Sequence, residues 1–121
     1  MTRILYVDDE TDIREVAQMS IELDPGFEVR TCSSGPEAIA EAAAWRPDLI
    51  LLDVMMPGMD GPTVFARLRE QGDMARIPVV FITARTHARE VAAFLDLGAR
   101  GVIAKPFDPM RLAEQVRELL G

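Results

Sequence analysis

The chain has 121 residues, 49% of them hydrophobic and 27% charged, which leaves room for one core and describes an ordinary globular domain rather than a disordered one. A formal net charge of −7 argues against a nucleic-acid partner, because binding a phosphate backbone needs concentrated Lys and Arg. The single cysteine, Cys32, excludes an internal disulfide, and with no basic-then-apolar leader and no apolar run of membrane-spanning length, a cytoplasmic protein is expected.

Ile4-Leu5-Tyr6-Val7 is apolar, β-branched and aromatic, and it stops at Asp8-Asp9-Glu10, which predicts a buried first strand with acids at its end. Thr11 or Asp12 then caps a helix with Ile13, Val16, Ala17, Ser20 and Ile21 at helical spacing, and Asp24-Pro25-Gly26 turns the chain out of it. Phe27 to Thr31 alternates apolar and polar, as an edge strand does. Ser34 and Glu37 make a capping box for a second helix whose Ala38, Ile39, Ala42 and Ala43 form a small-residue face, with Trp45 at its far end and Arg46-Pro47 closing it.

Leu49-Ile50-Leu51-Leu52 is an unbroken apolar run that ends in Asp53, and Met56-Pro57-Gly58-Met59-Asp60-Gly61 follows as a loop. A short run of this kind is a strand covered on both faces. The next helix is predicted over about 62–71, with Val64, Phe65 and Leu68 inward and Gly72-Asp73 as its stop. Residues 77–82 read as a second fully apolar strand ending in Thr83-Ala84-Arg85. A helix near 87–97 carries Val91, Phe94 and Leu95 and is stopped by Gly98. Val102-Ile103-Ala104 is the last strand, ending in Lys105-Pro106, and Asp108 caps a final helix bearing Leu112, Val116, Leu119 and Leu120.

Strand and helix thus alternate five times, which implies parallel strands joined by right-handed crossovers in a three-layer α/β/α sandwich. In such a sheet every strand ends at the same edge, so Asp8, Asp9, Asp53, Thr83 and Lys105 converge there from across the chain. Capping explains any one of these residues; it does not explain all of them. Crowded carboxylates repel, and a hard divalent cation offsets the repulsion. Mg²⁺, with Mn²⁺ as a substitute, suits oxygen donors of this kind. Asp53 can also serve as a nucleophile that accepts a phosphoryl group, with Lys105 as the nearby cation and the Thr83 hydroxyl as a hydrogen-bond donor.

Asp8-Asp9 after the first strand, Asp53 with Met56-Pro57-Gly58-Met59-Asp60-Gly61, Thr83-Ala84 and Lys105-Pro106-Phe107 together resemble the receiver domain of two-component response regulators over essentially residues 1–121. With Gly121 straight after the fifth helix, a single receiver domain over residues 1–121 with no output domain is expected, and the resemblance implies a (βα)5 doubly wound, flavodoxin-like sheet of strand order 2-1-3-4-5. It further implies that Asp53 is phosphorylated by a histidine kinase or phosphotransfer protein, and that Mg²⁺ is held by Asp9, Asp53 and the main-chain carbonyl of Met55, with Asp8 nearby through water. Lys105 would pair with the phosphoryl group, Thr83 would swing to bond it, and the Lys105–Pro106 bond would be cis. Output would pass to a noncovalent protein partner through the face made by the fourth helix, fifth strand and fifth helix, to a phosphorylation-dependent homodimer, or by relay to another histidine. Such a protein catalyses its own phosphorylation and dephosphorylation and is not a turnover enzyme.

One position departs from the pattern. The switch residue three before the lysine is usually Tyr or Phe in this family, and here it is Val102, which has no ring to move. Phe94 and Phe107 are the candidates to replace it. Val102 also keeps open a phosphorylation-independent adaptor on the same fold. A haloacid-dehalogenase-like phosphohydrolase is disfavoured, because Met55 stands where that class resembles a second aspartate. A nucleotide- or flavin-binding protein is disfavoured because the first strand leads to acids rather than a glycine-rich loop. Arg85, two residues past Thr83, is either a gate to the phosphoryl group or an exposed loop arginine. His87 reads as a solvated helix-start residue, Cys32 as structural, and Met55, Met56 and Met59 as adaptable packing or a soft partner-binding rim.

Overall fold

The computed structural model describes residues 1–121. Five strands, β1 (Thr2–Val7), β2 (Phe27–Cys32), β3 (Leu49–Asp53), β4 (Val79–Thr83) and β5 (Gly101–Ala104), alternate with five helices, α1 (Thr11–Ile21), α2 (Gly35–Trp45), α3 (Gly61–Arg69), α4 (Ala88–Leu97) and α5 (Leu112–Leu120). All strand pairs are parallel and the order is β2-β1-β3-β4-β5, so the fold is the flavodoxin-like (βα)5 sandwich.

Strand periodicity sorts the core into two layers. Leu5, Val7, Ile50, Leu52, Val79 and Phe81 point to one side, where Ala38 and Ala42 of α2 and Val64, Phe65 and Leu68 of α3 cover them. Their neighbours Ile4, Tyr6, Leu49, Leu51, Val80 and Ile82 point to the other, under Ala17 and Ile21 of α1 and Leu112 and Val116 of α5. Every residue of β3 is buried, as expected of a strand covered on both faces. β2 at the edge is buried only at its ends.

The helix boundaries differ from expectation where local polar chemistry decides them. Glu10 takes the N-cap position of α1 and contributes no side-chain cap bond, so neither Thr11 nor Asp12 is the cap. Val16, assigned to the inward stripe, is 40% exposed, because α1 turns Ala17, Ser20 and Ile21 to the sheet. At α2 only half of the capping box forms: Ser34 Oγ accepts from the Glu37 N–H at 3.3 Å, while the Glu37 carboxylate accepts from the Ser33 hydroxyl at 2.9 Å. α3 starts at Gly61 because Asp60 caps it through the Thr63 N–H at 2.9 Å, and a short 3₁₀ turn over Gly72–Arg76 follows, anchored by buried Met74. β4 begins at Val79, after Pro78, which cannot donate to the ladder.

α4 has no fully buried residue: Val91 and Phe94 are half-buried and Leu95 is 45% exposed, so the expected inward stripe is narrower than its apolar content suggests. α5 begins at Leu112 instead of directly after Asp108. The Asp108 side chain closes a turn on the Met110 N–H at 2.9 Å, and its carbonyl accepts from the Arg111 and Leu112 N–H groups.

Candidate functional site

The ends of β1, β3, β4 and β5 lie side by side, and the acids they carry meet. Carboxylate oxygens of Asp8, Asp9 and Asp53 all fall within 4.8 Å of one another. Asp8 is fully buried and Asp53 is 3% exposed, whereas Asp9 faces solvent. Lys105 reaches in from the end of β5: its Nζ lies 3.0 Å from Asp8 Oδ2, 3.4 Å from Asp53 Oδ2 and 3.5 Å from Glu10 Oε1. The Lys105–Pro106 peptide bond is cis.

Asp8 has partners on both oxygens. Oδ1 accepts from the Glu10 N–H at 3.0 Å, and Oδ2 accepts from the Tyr6 hydroxyl at 3.1 Å as well as from Lys105. The Arg14 guanidinium donates to the Asp8 carbonyl at 2.7 Å, tying α1 to the same corner. Thr83, 2% exposed at the end of β4, accepts the Arg85 N–H on Oγ1 at 3.0 Å, and its carbonyl accepts the Lys105 N–H at 2.9 Å. A cleft of about 400 Å³ opens over these groups, lined by Glu10, Ile13, Asp53, Met55, Thr83, Ala84, Lys105 and Pro106.

The electrostatics follow from burial and crowding. Burial, and then the negative charge of Asp8, push the Asp53 carboxyl up to about 6 against the pull of Lys105. Burial would lower the Lys105 ammonium, but the Asp8 hydrogen bond and the charges of Asp53, Asp8 and Glu10 outweigh it, so the net direction is up. The Tyr6 phenol is held strongly up by burial and by Asp8, and it stays a neutral donor.

Asp8, Asp9, Asp53, Thr83 and Lys105 are therefore together, and the exposed side chain of Met55 stands at the rim of the cleft. Val102 is not at the cleft. It is half-buried in β5, beside Phe81 of β4 in the sheet register. Arg85 and His87 are exposed and form no ion pair. The two candidate aromatic substitutes lie on opposite sides of the sheet: Phe94 packs on Phe81 with ring centroids 4.8 Å apart, and Phe107 meets Tyr6 edge-on at 6.4 Å.

Residues 4–117 match the family model described as the response regulator receiver domain. The chain belongs to this family. It is 44% identical over 119 residues to the response regulator PleD of Caulobacter vibrioides, covering 97% of this chain and 26% of PleD. It is 37% identical over 119 residues to the transcriptional regulatory protein CseB of Streptomyces coelicolor, covering 98% of this chain and 49% of CseB. This receiver domain thus spans about half the length of CseB and about a quarter of PleD. Its fold superimposes on the chemotaxis response regulator CheY4 of Vibrio cholerae with a TM-score of 0.89 at 33% identity, covering 98% of both chains. No helix of this receiver is long and apolar enough to cross a membrane.

Receiver domains typically bind Mg²⁺, and the donors here suit it. They are all hard oxygens, and Lys105 occupies one oxygen each of Asp8 and Asp53, leaving the other Asp53 oxygen and the Asp9 carboxylate without hydrogen-bond partners. Three acids against one ammonium leave the cluster short of positive charge, which a divalent ion corrects.

Sequence reasoning passed over Tyr6, Glu10 and Gly61. Tyr6 and Asp8 are two residues apart on a strand, so they share a face, and that spacing was the available signal. Gly61 stood at the end of the motif that follows Asp53 with no role of its own, yet it backs directly onto the Asp53 main chain.

Proposed function

We propose that this receiver domain is a phosphorylation-dependent switch in which Asp53 accepts a phosphoryl group from a histidine kinase or phosphotransfer protein. The observation that carries this reading is the meeting of a buried carboxylate, Asp53, with the Lys105 ammonium at 3.4 Å on the floor of an open cleft. In the transfer an ionised Asp53 oxygen forms the new P–O bond while the donor's P–N bond breaks and the imidazole leaves with the electron pair. Lys105 is already placed to move from the free carboxylate to a phosphoryl oxygen. The Thr83 hydroxyl, now accepting from the Arg85 N–H, can turn its proton toward the same oxygens. Asp9, Asp53 and the Met55 carbonyl would hold Mg²⁺ or Mn²⁺, with Asp8 contributing through water; the ion would screen the negative charge gathered on carboxylates and phosphoryl group. Arg85, exposed two residues past Thr83, gates approach to the group once it is attached.

The signal leaves through α4. With Val102 carrying no ring, the Phe81–Phe94 pair is the route from β4 to that helix, because Phe81 lies two residues before Thr83 on the same side of the strand. Phe107, on the far side of the sheet, does not serve. The exposed Leu95 and Leu97 of α4 belong to the face, continued by β5 and α5, on which a downstream protein or a second copy docks.

Incubation with a small phosphodonor such as acetyl phosphate tests the reading. Mg²⁺-dependent gain of one phosphoryl mass that disappears in Asp53→Ala is expected; unchanged labelling in that variant contradicts it.

A further inference from the structure

Tyr6 is fully buried in the layer under α1 and α5, where phenylalanine would fill the same space without a polar group to satisfy. Its hydroxyl is satisfied by one partner, Asp8 Oδ2, at 3.1 Å. The contact is built into the pleat, since residues two apart project from the same face of β1. Asp8 Oδ2 also takes Lys105 Nζ at 3.0 Å, and Oδ1 takes the Glu10 N–H at 3.0 Å, so the carboxylate is fixed at both oxygens by groups of the protein. Lys105 is a compact charge on a flexible stem, and it has no rigid fork to aim itself. Its place is set by the acid it approaches most closely, and that acid is Asp8, nearer than Asp53 at 3.4 Å or Glu10 at 3.5 Å.

We propose that Tyr6 is a positioning residue: its hydroxyl fixes the Asp8 carboxylate, and through it holds the Lys105 ammonium where it meets the phosphoryl group on Asp53. The inference rests on the phosphoacceptor reading of Asp53. The hydroxyl occupies a lone pair of Oδ2 that the ammonium would otherwise take. Without it Asp8 is held by Glu10 and Lys105 alone, the carboxylate turns toward the ammonium, and Lys105 is drawn away from Asp53.

Tyr6→Phe keeps the ring and its contact with Phe107 and removes one hydrogen bond. The first readout needs no phosphorylation: in cation-free protein at low temperature, the ¹H–¹⁵N correlation of the Lys105 ammonium is expected in the unmodified chain, where Asp8 slows proton exchange, and is expected to broaden or move in Tyr6→Phe. The second is labelling by acetyl phosphate at saturating Mg²⁺. The maximal rate is expected to fall on the order of fivefold, the equivalent of one ordinary hydrogen bond, with the half-saturating donor concentration unchanged. In an Asp8→Asn background Tyr6→Phe is expected to add nothing further. An unchanged Lys105 signal with an unchanged maximal rate overturns the proposal. So does an equal fall in both backgrounds, because a packing defect would not pass through Asp8. If the unmodified chain takes no label at all, the phosphoacceptor reading fails, and the Lys105 signal alone decides whether Tyr6 governs the lysine.

Discussion

Gly61 and Asp53 meet main chain to main chain: a Cβ on Gly61 would stand 2.5 Å from the Asp53 carbonyl oxygen and 2.9 Å from Val54 Cα. The Gly61 N–H also donates to the Val54 carbonyl at 2.9 Å, so the first turn of α3 is clamped onto the end of β3. Neither side of this contact is the flexible end of a side chain. Gly61→Ala is therefore expected to push β3 and α3 apart, lowering stability by about 1–3 kcal/mol as overpacking does. Labelling of Asp53 should slow as well, because the carboxylate moves with its backbone. Thermal unfolding and a phosphodonor time course check both effects, and a variant equal to the parent in each would show that the clamp is slack.

The raised Asp53 carboxyl links stability to pH. Its value in the fold, about 6, lies above the ordinary 3.8, so the folded state binds the proton more tightly than the unfolded chain. The ionised form thus destabilises the cation-free protein, fully so above about 6, and the penalty fades as pH falls from there toward the ordinary value. Asp53→Asn is expected to gain about 3 kcal/mol over the parent at pH 8 in chelator and little at pH 4. Urea unfolding at the two pH values measures this. Mg²⁺ should stabilise the parent at pH 8 far more than the variant, since binding to the folded state alone shifts the equilibrium.

Phe94→Ala separates receiving the phosphoryl group from passing the signal on. Phe94 packs on Phe81 and is remote from the carboxylates, so the labelling rate should stay within twofold of the parent while the half-buried ring costs about 1–2 kcal/mol of stability. Backbone amide shifts in α4 on phosphorylation should shrink in the variant. If they persist in full, the route through Phe81 and Phe94 is wrong.

Trp45 should be a silent reporter. It lies at the C-terminal end of α2, 5% exposed, with the Arg30 and Arg3 guanidinium groups 4.7 Å and 5.6 Å from its ring centroid, at the opposite end of the sheet from Asp53. Titration with Mg²⁺ is expected to leave its emission unchanged; a saturable change would mean that the cation reshapes the far end of α2. Cys32, whose thiol burial pushes up to about 12, should likewise resist a thiol reagent until the chain unfolds.

The strand order came with the family resemblance, whereas the two-faced burial of β3 and the meeting of Asp8, Asp9, Asp53, Thr83 and Lys105 at one edge followed from apolar runs ending in polar residues. Those features were legible because each is local or a necessary consequence of parallel pairing. What was not legible depends on which of two equivalent local bonds forms or on which atoms approach across the fold. The start of α5 was misjudged because Asp108 bonds the Met110 N–H in a turn, a choice its sequence shares with a helix cap. Val16 has helical spacing but faces solvent, since the arc that α1 buries is narrower than its apolar stripe. Tyr6 read as one more apolar strand residue; its spacing from Asp8 puts the two on one face, and the folded distance shows that its hydroxyl reaches the carboxylate.

The identity of the phosphoacceptor is tested most directly by borohydride trapping. An acyl phosphate on an aspartate is reduced to homoserine, and peptide mass mapping after Mg²⁺-dependent phosphorylation then reads the position. Homoserine at residue 53 and at no other acid is the expected result. Homoserine at Asp8, Asp9 or Asp60 with none at 53, or a stable phosphoryl group elsewhere in the chain, would contradict the role given to Asp53.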